Sequence, residues 1–191
     1  MRQLTIALVL ALALAASAGP SRAAAEPVPA DKLGLIVLRV LAYDHRLAAR
    51  PDGELVIAVV ETADDASRAC AATMASAFAA LAKKVRVGNL TVRAVRLTLG
   101  DGKGLARSLA RHGAVAVYAC TTAAQAPAVS RATRSAAALS FTAEPAAIAD
   151  LAVALVRRDD KIELQVNLVA ARAEGAQLSG AFLRIAKVVN R

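Results

Sequence analysis

The sequence predicts an α/β fold: a single-domain sandwich with a mostly parallel sheet, helices on both faces, and a C-terminal β-hairpin followed by two helices. Three observations predict it. Wholly apolar runs at 55–60 and 114–119 suit strands buried on both faces. Helix-length segments with capping residues separate these runs, which argues for parallel strands joined by right-handed crossovers. Two later strand-like runs, 151–156 and 162–166, are joined only by residues 157–161, a link that permits only an antiparallel hairpin.

The chain begins with Arg2 and an apolar run over 4–18 broken only by Thr5 and Ser17. At about 15 residues the run is shorter than the ~20 a membrane-crossing helix needs. Ala16-Ser17-Ala18 and Ala23-Ala24-Ala25 follow, both of the small-x-small type that signal peptidase accepts. Residues 1–25 therefore read as a cleaved signal peptide and 26–191 as one exported domain, with cleavage placed after Ala25.

The first helix is predicted over 31–47. Asp31 is its cap, and Leu33, Ile36, Val37, Val40 and Leu41 form a stripe at helical spacing. Leu35 and Leu38 lie off that stripe. A helix apolar on more than one face is either deeply buried or covered by a partner. Arg50-Pro51-Asp52-Gly53 is a turn, since Pro presets φ and Gly permits positive φ.

After the 55–60 strand, Thr62 or Asp64 starts a helix running to about Lys84, with acids at its start and Lys83 and Lys84 at its end, as the helix dipole favours. Residues 90–99 alternate apolar and polar, as in a strand nearer an edge. A glycine-rich turn over 100–104 leads to a helix ending near Arg111, and 114–119 is the second buried strand. A helix over 123–135 with Pro127 near its first turn precedes a strand over 137–141. Beyond the hairpin, Asn167 caps a helix that Gly175 ends. Ser179 caps a last helix whose stripe is Leu178, Phe182, Ile185, Ala186 and Val189.

Composition excludes several functions. The net charge of +9 stays strongly positive after loss of Arg2 and Arg22. The basic residues are scattered, however, and aromatics make up only 3% of the chain, so the stacking platforms and basic stripe of a nucleic-acid binder are missing. The charge leaves room for weak contact with an anionic membrane surface. No G-x-S-x-G turn accompanies His45 or His112, and the two cysteines and two histidines lack metal-ligand spacing. Gly100-Asp101-Gly102-Lys103-Gly104 matches neither nucleotide-binding fingerprint, and Asp101 would repel an anion. The sequence thus points away from an enzyme, a metal or a cofactor. Cys70 and Cys120 both fall toward the carboxyl edge of the sheet. They form either a disulfide, worth about 3–4 kcal/mol for a loop of this length, or two buried inert thiols.

The stretch 161–189, KIELQVNLVAARAEGAQLSGAFLRIAKVV, resembles the C-terminal signature of the YfiR-like periplasmic proteins: a strand ending at Asn167, a small-residue helix, and a closing segment from Ser179. The segment 38–47, LRVLAYDHRL, is similar to one branch's opening helix. The resemblance implies a periplasmic α/β sandwich that binds the periplasmic part of a membrane protein, in its best-understood members a diguanylate cyclase, and thereby limits cyclic-di-GMP synthesis. It also implies a capacity to form homodimers. One cysteine pair stands here where the family has two, and the opening helix is aliphatic where it is usually aromatic.

On this reading Leu35, Leu38 and Tyr43 form part of a partner or dimer surface, while Asn167, Gly175 and Ser179 serve the fold. Two other functions are compatible with the sequence. One is a small-molecule-binding protein using the carboxyl edge of the sheet, with Thr62, Asp64, Thr121 and Thr122 as its polar groups. The other is a structural component of the envelope.

Overall fold

The structure is a computed structural model and describes residues 28–48, 53–100, 102–159 and 161–190. The leader at 1–25, Arg50-Pro51-Asp52 of the first turn, and Asp101 lie outside the described residues. In chain order, α1 (Ala30–Leu41) and α2 (His45–Ala48) precede β1 (Glu54–Glu61), α3 (Asp65–Ala82), β2 (Arg86–Val87) and β3 (Leu90–Thr98). Then come α4 (Lys103–His112), β4 (Ala114–Ala119), α5 (Ala126–Ala136), β5 (Leu139–Thr142), β6 (Val153–Arg158) and β7 (Lys161–Asn167). The chain closes with α6 (Leu168–Ala173), α7 (Gly180–Ile185) and β8 (Lys187–Asn190).

The strands form one sheet in the order β2-β3-β1-β4-β5-β6-β7-β8. From β3 to β6 every pairing is parallel; β6 and β7 form the antiparallel hairpin, with Arg158 opposite Lys161. β1, apolar from Leu55 to Val60, and the wholly apolar β4 lie side by side at the centre, because only a strand covered on both faces can be apolar without alternation. On one face Leu55, Ile57, Val59 and Tyr118 pack under α1 and α3, with Phe78 and Phe182 completely buried. On the other, Val56, Ala58, Val60 and Val117 meet Leu105 and Leu109 of α4 and Val129 of α5. Helices on both faces are as the sequence predicts.

Four local expectations are corrected. The opening helix does not run to Leu47: α1 stops at Leu41. Tyr43 O accepts from Ser179 N at 2.9 Å, His45 N donates to Gln177 O at 3.0 Å, and Asp44 bridges Leu178, so distant backbone takes the place of the next helical turn. Nor does Asp31 cap that helix. Pro29 occupies the cap position and Asp31 sits in the first turn, its carboxylate accepting from Lys32 N. The strand at β5 begins at Leu139, because Ala137 closes α5 in the left-handed region (φ 52°). Finally, α7 ends at Ile185, and Val188 and Val189 continue as β8 parallel to β7, a β-branched pair satisfied by the open side of the hairpin. The two-residue β2 was also not foreseen.

Two buried carboxylates tie the ends of the chain to the middle. Asp44 is fully buried and receives Arg46 Nη2 at 2.8 Å and the Gln177 amide at 3.1 Å. The same guanidinium donates through Nη1 to the carbonyls of Ala137 and Glu174. Glu174, also fully buried, accepts from Ser140 N at 2.8 Å, Ser140 Oγ at 2.7 Å and Thr133 Oγ1 at 2.5 Å. It thereby joins the end of α6 to α5 and β5. Burial pushes its carboxyl up to about 7 against the pull of those donors.

Candidate interaction surface

Tyr43 follows the last turn of α1 and lies over Phe182 of α7, ring centroids 5.8 Å apart and nearly parallel. Around this pair Ile36, Val40, Leu164 and Ile185 line an apolar groove of about 500 Å³, with Arg39 at its rim. Ile185 is 69% exposed and Tyr43 is 40% exposed. Large apolar side chains left in water beside a groove mark a surface suited to another protein.

The groove contains one of the three residues singled out on the opening helix. Tyr43 is on it, and Leu35 is half-buried on α1 outside the lining. Leu38 is 1% exposed and belongs to the core, which corrects its placement on a partner surface. Of the residues read as the buried stripe, Ile36 is half-buried and lines the groove, and the buried Val40 forms part of its floor. Leu164, Phe182 and Ile185 come from the far end of the chain. The signal for Ile185 was present as one member of the apolar stripe at 178–189, but only the fold shows that the stripe is half covered.

The motif residues serve the backbone. Asn167 accepts from Ala170 N at 3.0 Å and donates to the carbonyls of Ile148 and Ala149, so it caps α6 and pins the loop before β6. Ser179 Oγ accepts from Phe182 N and caps α7. Gly175 takes φ 74°, a conformation that favours glycine, and a Cβ there would stand 3.2 Å from Arg46 Nη1 and press on that guanidinium.

At the carboxyl edge, Thr62, Asp64, Thr121 and Thr122 do come together where β1 and β4 end. Asp64 accepts from Ser67 N at 2.8 Å and from the Thr62 hydroxyl, contacts that hold its carboxyl below the usual range. Ser67 Oγ accepts from Thr62 N and donates to Cys120 O at 2.5 Å. Thr62, Asp64 and Ser67 thus bond one another and Thr122 bonds Gln125, while the buried Thr121 hydroxyl has no hydrogen-bond partner among the described residues. Cys70 and Cys120 form a disulfide beneath them, with Cα atoms 5.8 Å apart. The remaining crevice, about 200 Å³, is smaller than the ~300–1,000 Å³ typical of ligand pockets. Among the described residues no three His, Cys, Asp or Glu side chains form a group suited to a metal, and no helix is long and apolar enough to cross a membrane.

Comparison with solved structures finds the same fold at low identity. A ligand-free substrate-binding protein with adhesive properties from Clostridium difficile aligns with a TM-score of 0.57 and 13% identity, covering 83% of this chain and 59% of that one. A conserved domain protein from Vibrio cholerae gives 0.58 and 14%, with 84% and 60% coverage. An ABC domain in complex with L-Trp from Streptococcus pneumonia gives 0.54 and 10%, with 84% and 62%. The chain thus spans about three fifths of the length of each, and the likeness is one of fold alone. No curated protein matches the sequence. A family model described as YfiR/HmsC-like matches residues 36–187.

Proposed function

This chain belongs to the YfiR/HmsC-like family, and on that footing we propose that it is a periplasmic regulator of diguanylate cyclase signalling, acting by binding the periplasmic part of a membrane protein rather than by catalysis. The single observation that carries this reading is the family match across nearly the whole domain. The binding surface we assign is the groove between α1, β7 and α7, with Tyr43 and Ile185 as its anchors. Aromatic and large aliphatic side chains in a partly formed pocket are the usual centres of binding energy. The small size of the crevice at the carboxyl edge, about 200 Å³, supports this reading over a small-molecule site.

Regulation follows if the domain binds one state of its partner better than another, since a binder shifts an equilibrium only by its differential affinity. The test is deletion of the gene in its host followed by measurement of cyclic-di-GMP. We expect the level to rise, to fall again on complementation with the native chain, and to stay high with Ile185→Glu. An unchanged level after deletion would remove the regulatory reading. Full rescue by Ile185→Glu would move the surface elsewhere.

A further inference from the structure

The opposite edge of the sheet carries a second surface. β1 pairs with β3 along its whole length, but β2 covers only Leu90 and Thr91 on the other side. The amides of Thr91 and Leu99 donate to Gly53 and Glu61 of the β1 side. In a parallel ladder alternate residues turn their backbone groups to the same neighbour. Arg93, Val95 and Leu97 therefore serve β1, while Ala94, Arg96 and Thr98 present N–H and C=O groups outward.

Proteins blunt such edges with proline, bulges or outward charge. β3 has no proline, and its arginines are drawn back over β1: Arg93 Nε lies 2.8 Å from Glu54 and Arg96 Nη2 lies 2.5 Å from Glu61. Beside this bare edge, on the face carrying α4, a groove of about 820 Å³ is lined by Thr98, Leu99, Leu105, Arg107 and Arg111. The α4 segment KGLARSLARH contains Lys103, Arg107 and Arg111 and no acid. Arg107 and Arg111 are exposed; Arg111 bonds only Ser108 Oγ, and Arg107 makes no ion pair among the described residues.

The geometry points to an acidic, extended segment of a partner protein as the occupant of this edge. It adds as one more strand beside β3, bonding the backbone of Ala94, Arg96 and Thr98. Every second side chain enters the groove, where carboxylates meet Arg107 and Arg111 and aliphatic groups cover Leu99 and Leu105. A second copy of this chain is disfavoured, because edge-to-edge pairing about a two-fold axis would bring the Arg107 and Arg111 rows of both copies to the same face of the seam.

The probe is a capped peptide of about ten residues alternating Glu with Val, compared with its Lys-Val twin, added at low salt to the exported domain. We expect the acidic peptide to bind at least about tenfold tighter than its twin. It should slow hydrogen exchange at Ala94, Arg96 and Thr98, and lose about tenfold in affinity with Arg107→Glu plus Arg111→Glu. Both arginines are exposed, so this variant folds; Ile185→Glu should bind the peptide as the native chain does. Equal binding of the two peptides, binding without protection of those three amides, or self-association through β3 in sedimentation would each overturn the proposal.

Discussion

The hydroxyl of Thr133 lies 2.5 Å from Glu174 Oε1 and 3.0 Å from the carbonyl of Ser130, two acceptors for one proton. Thr133 divides its single proton between them, so its donation to the carboxylate is weaker than an undivided bond would be. Burial raises the carboxyl to about 7 against the donors from Thr133 and Ser140.

A pH dependence follows. Between about 4.5 and 7 the native carboxyl keeps a proton that the unfolded chain has released. Stability therefore falls as pH rises through that window and is level with respect to this group on either side. Urea unfolding of the native chain from pH 4 to 8 should show this decline relative to Glu174→Gln, in which the slope is absent. A parallel pH profile for the two proteins would mean that Glu174 titrates normally.

Core on α1 and surface on α7 separate cleanly by mutation. Leu38→Glu places a carboxylate where the native side chain is 1% exposed and should cost more than 3 kcal/mol, or about the whole of a marginal stability. Ile185→Glu, at 69% exposure, should shift stability by less than about 0.5 kcal/mol. Circular dichroism melts of the two variants check this directly.

Arg46→Ala should be among the most damaging polar substitutions. It leaves the fully buried Asp44 carboxylate without its cation and two carbonyls without a donor, a loss of about 3–5 kcal/mol. Chemical denaturation measures it. A loss below about 1 kcal/mol would place Asp44 in contact with water.

The disulfide closes a separation of 50 residues. Cys70→Ala with Cys120→Ala should lower stability by about 3–4 kcal/mol on the chain-entropy account. Dithiothreitol should lower the melting temperature of the native chain and leave that of the variant unchanged.

Ala137→Gly should stabilise the protein by about 0.5–1 kcal/mol, because Ala137 ends α5 with φ 52°, a conformation a Cβ opposes. Its carbonyl bond from Arg46 is kept, so thermal melting reads the backbone term alone.

What the sequence made legible was what local pattern determines. β1 and β4 declare themselves because six consecutive apolar residues leave no solvent face. Asn167 and Ser179 declare their helices because a cap acts within three residues. The end of α1 was hidden because its cause, the Gln177 amide on Asp44, lies 133 residues away. Leu38 falls in the core, against expectation, because a helix apolar on more than one face does not say which of those faces meets the sheet. β8 was hidden because Val188 and Val189 continue a helical stripe as readily as they fill a strand. The groove shares that difficulty: Tyr43 could be named, but Leu164 and Ile185 join it only through the tertiary fold.

The clasp between residues 43–46 and 174–179 works in both directions. Asp44 keeps the local amide of Arg46, but its second amide and the donor to the Tyr43 carbonyl come only from Gln177 and Ser179. The two ends of the described chain are thereby fastened to each other, so that fraying of either one strips partners from the other.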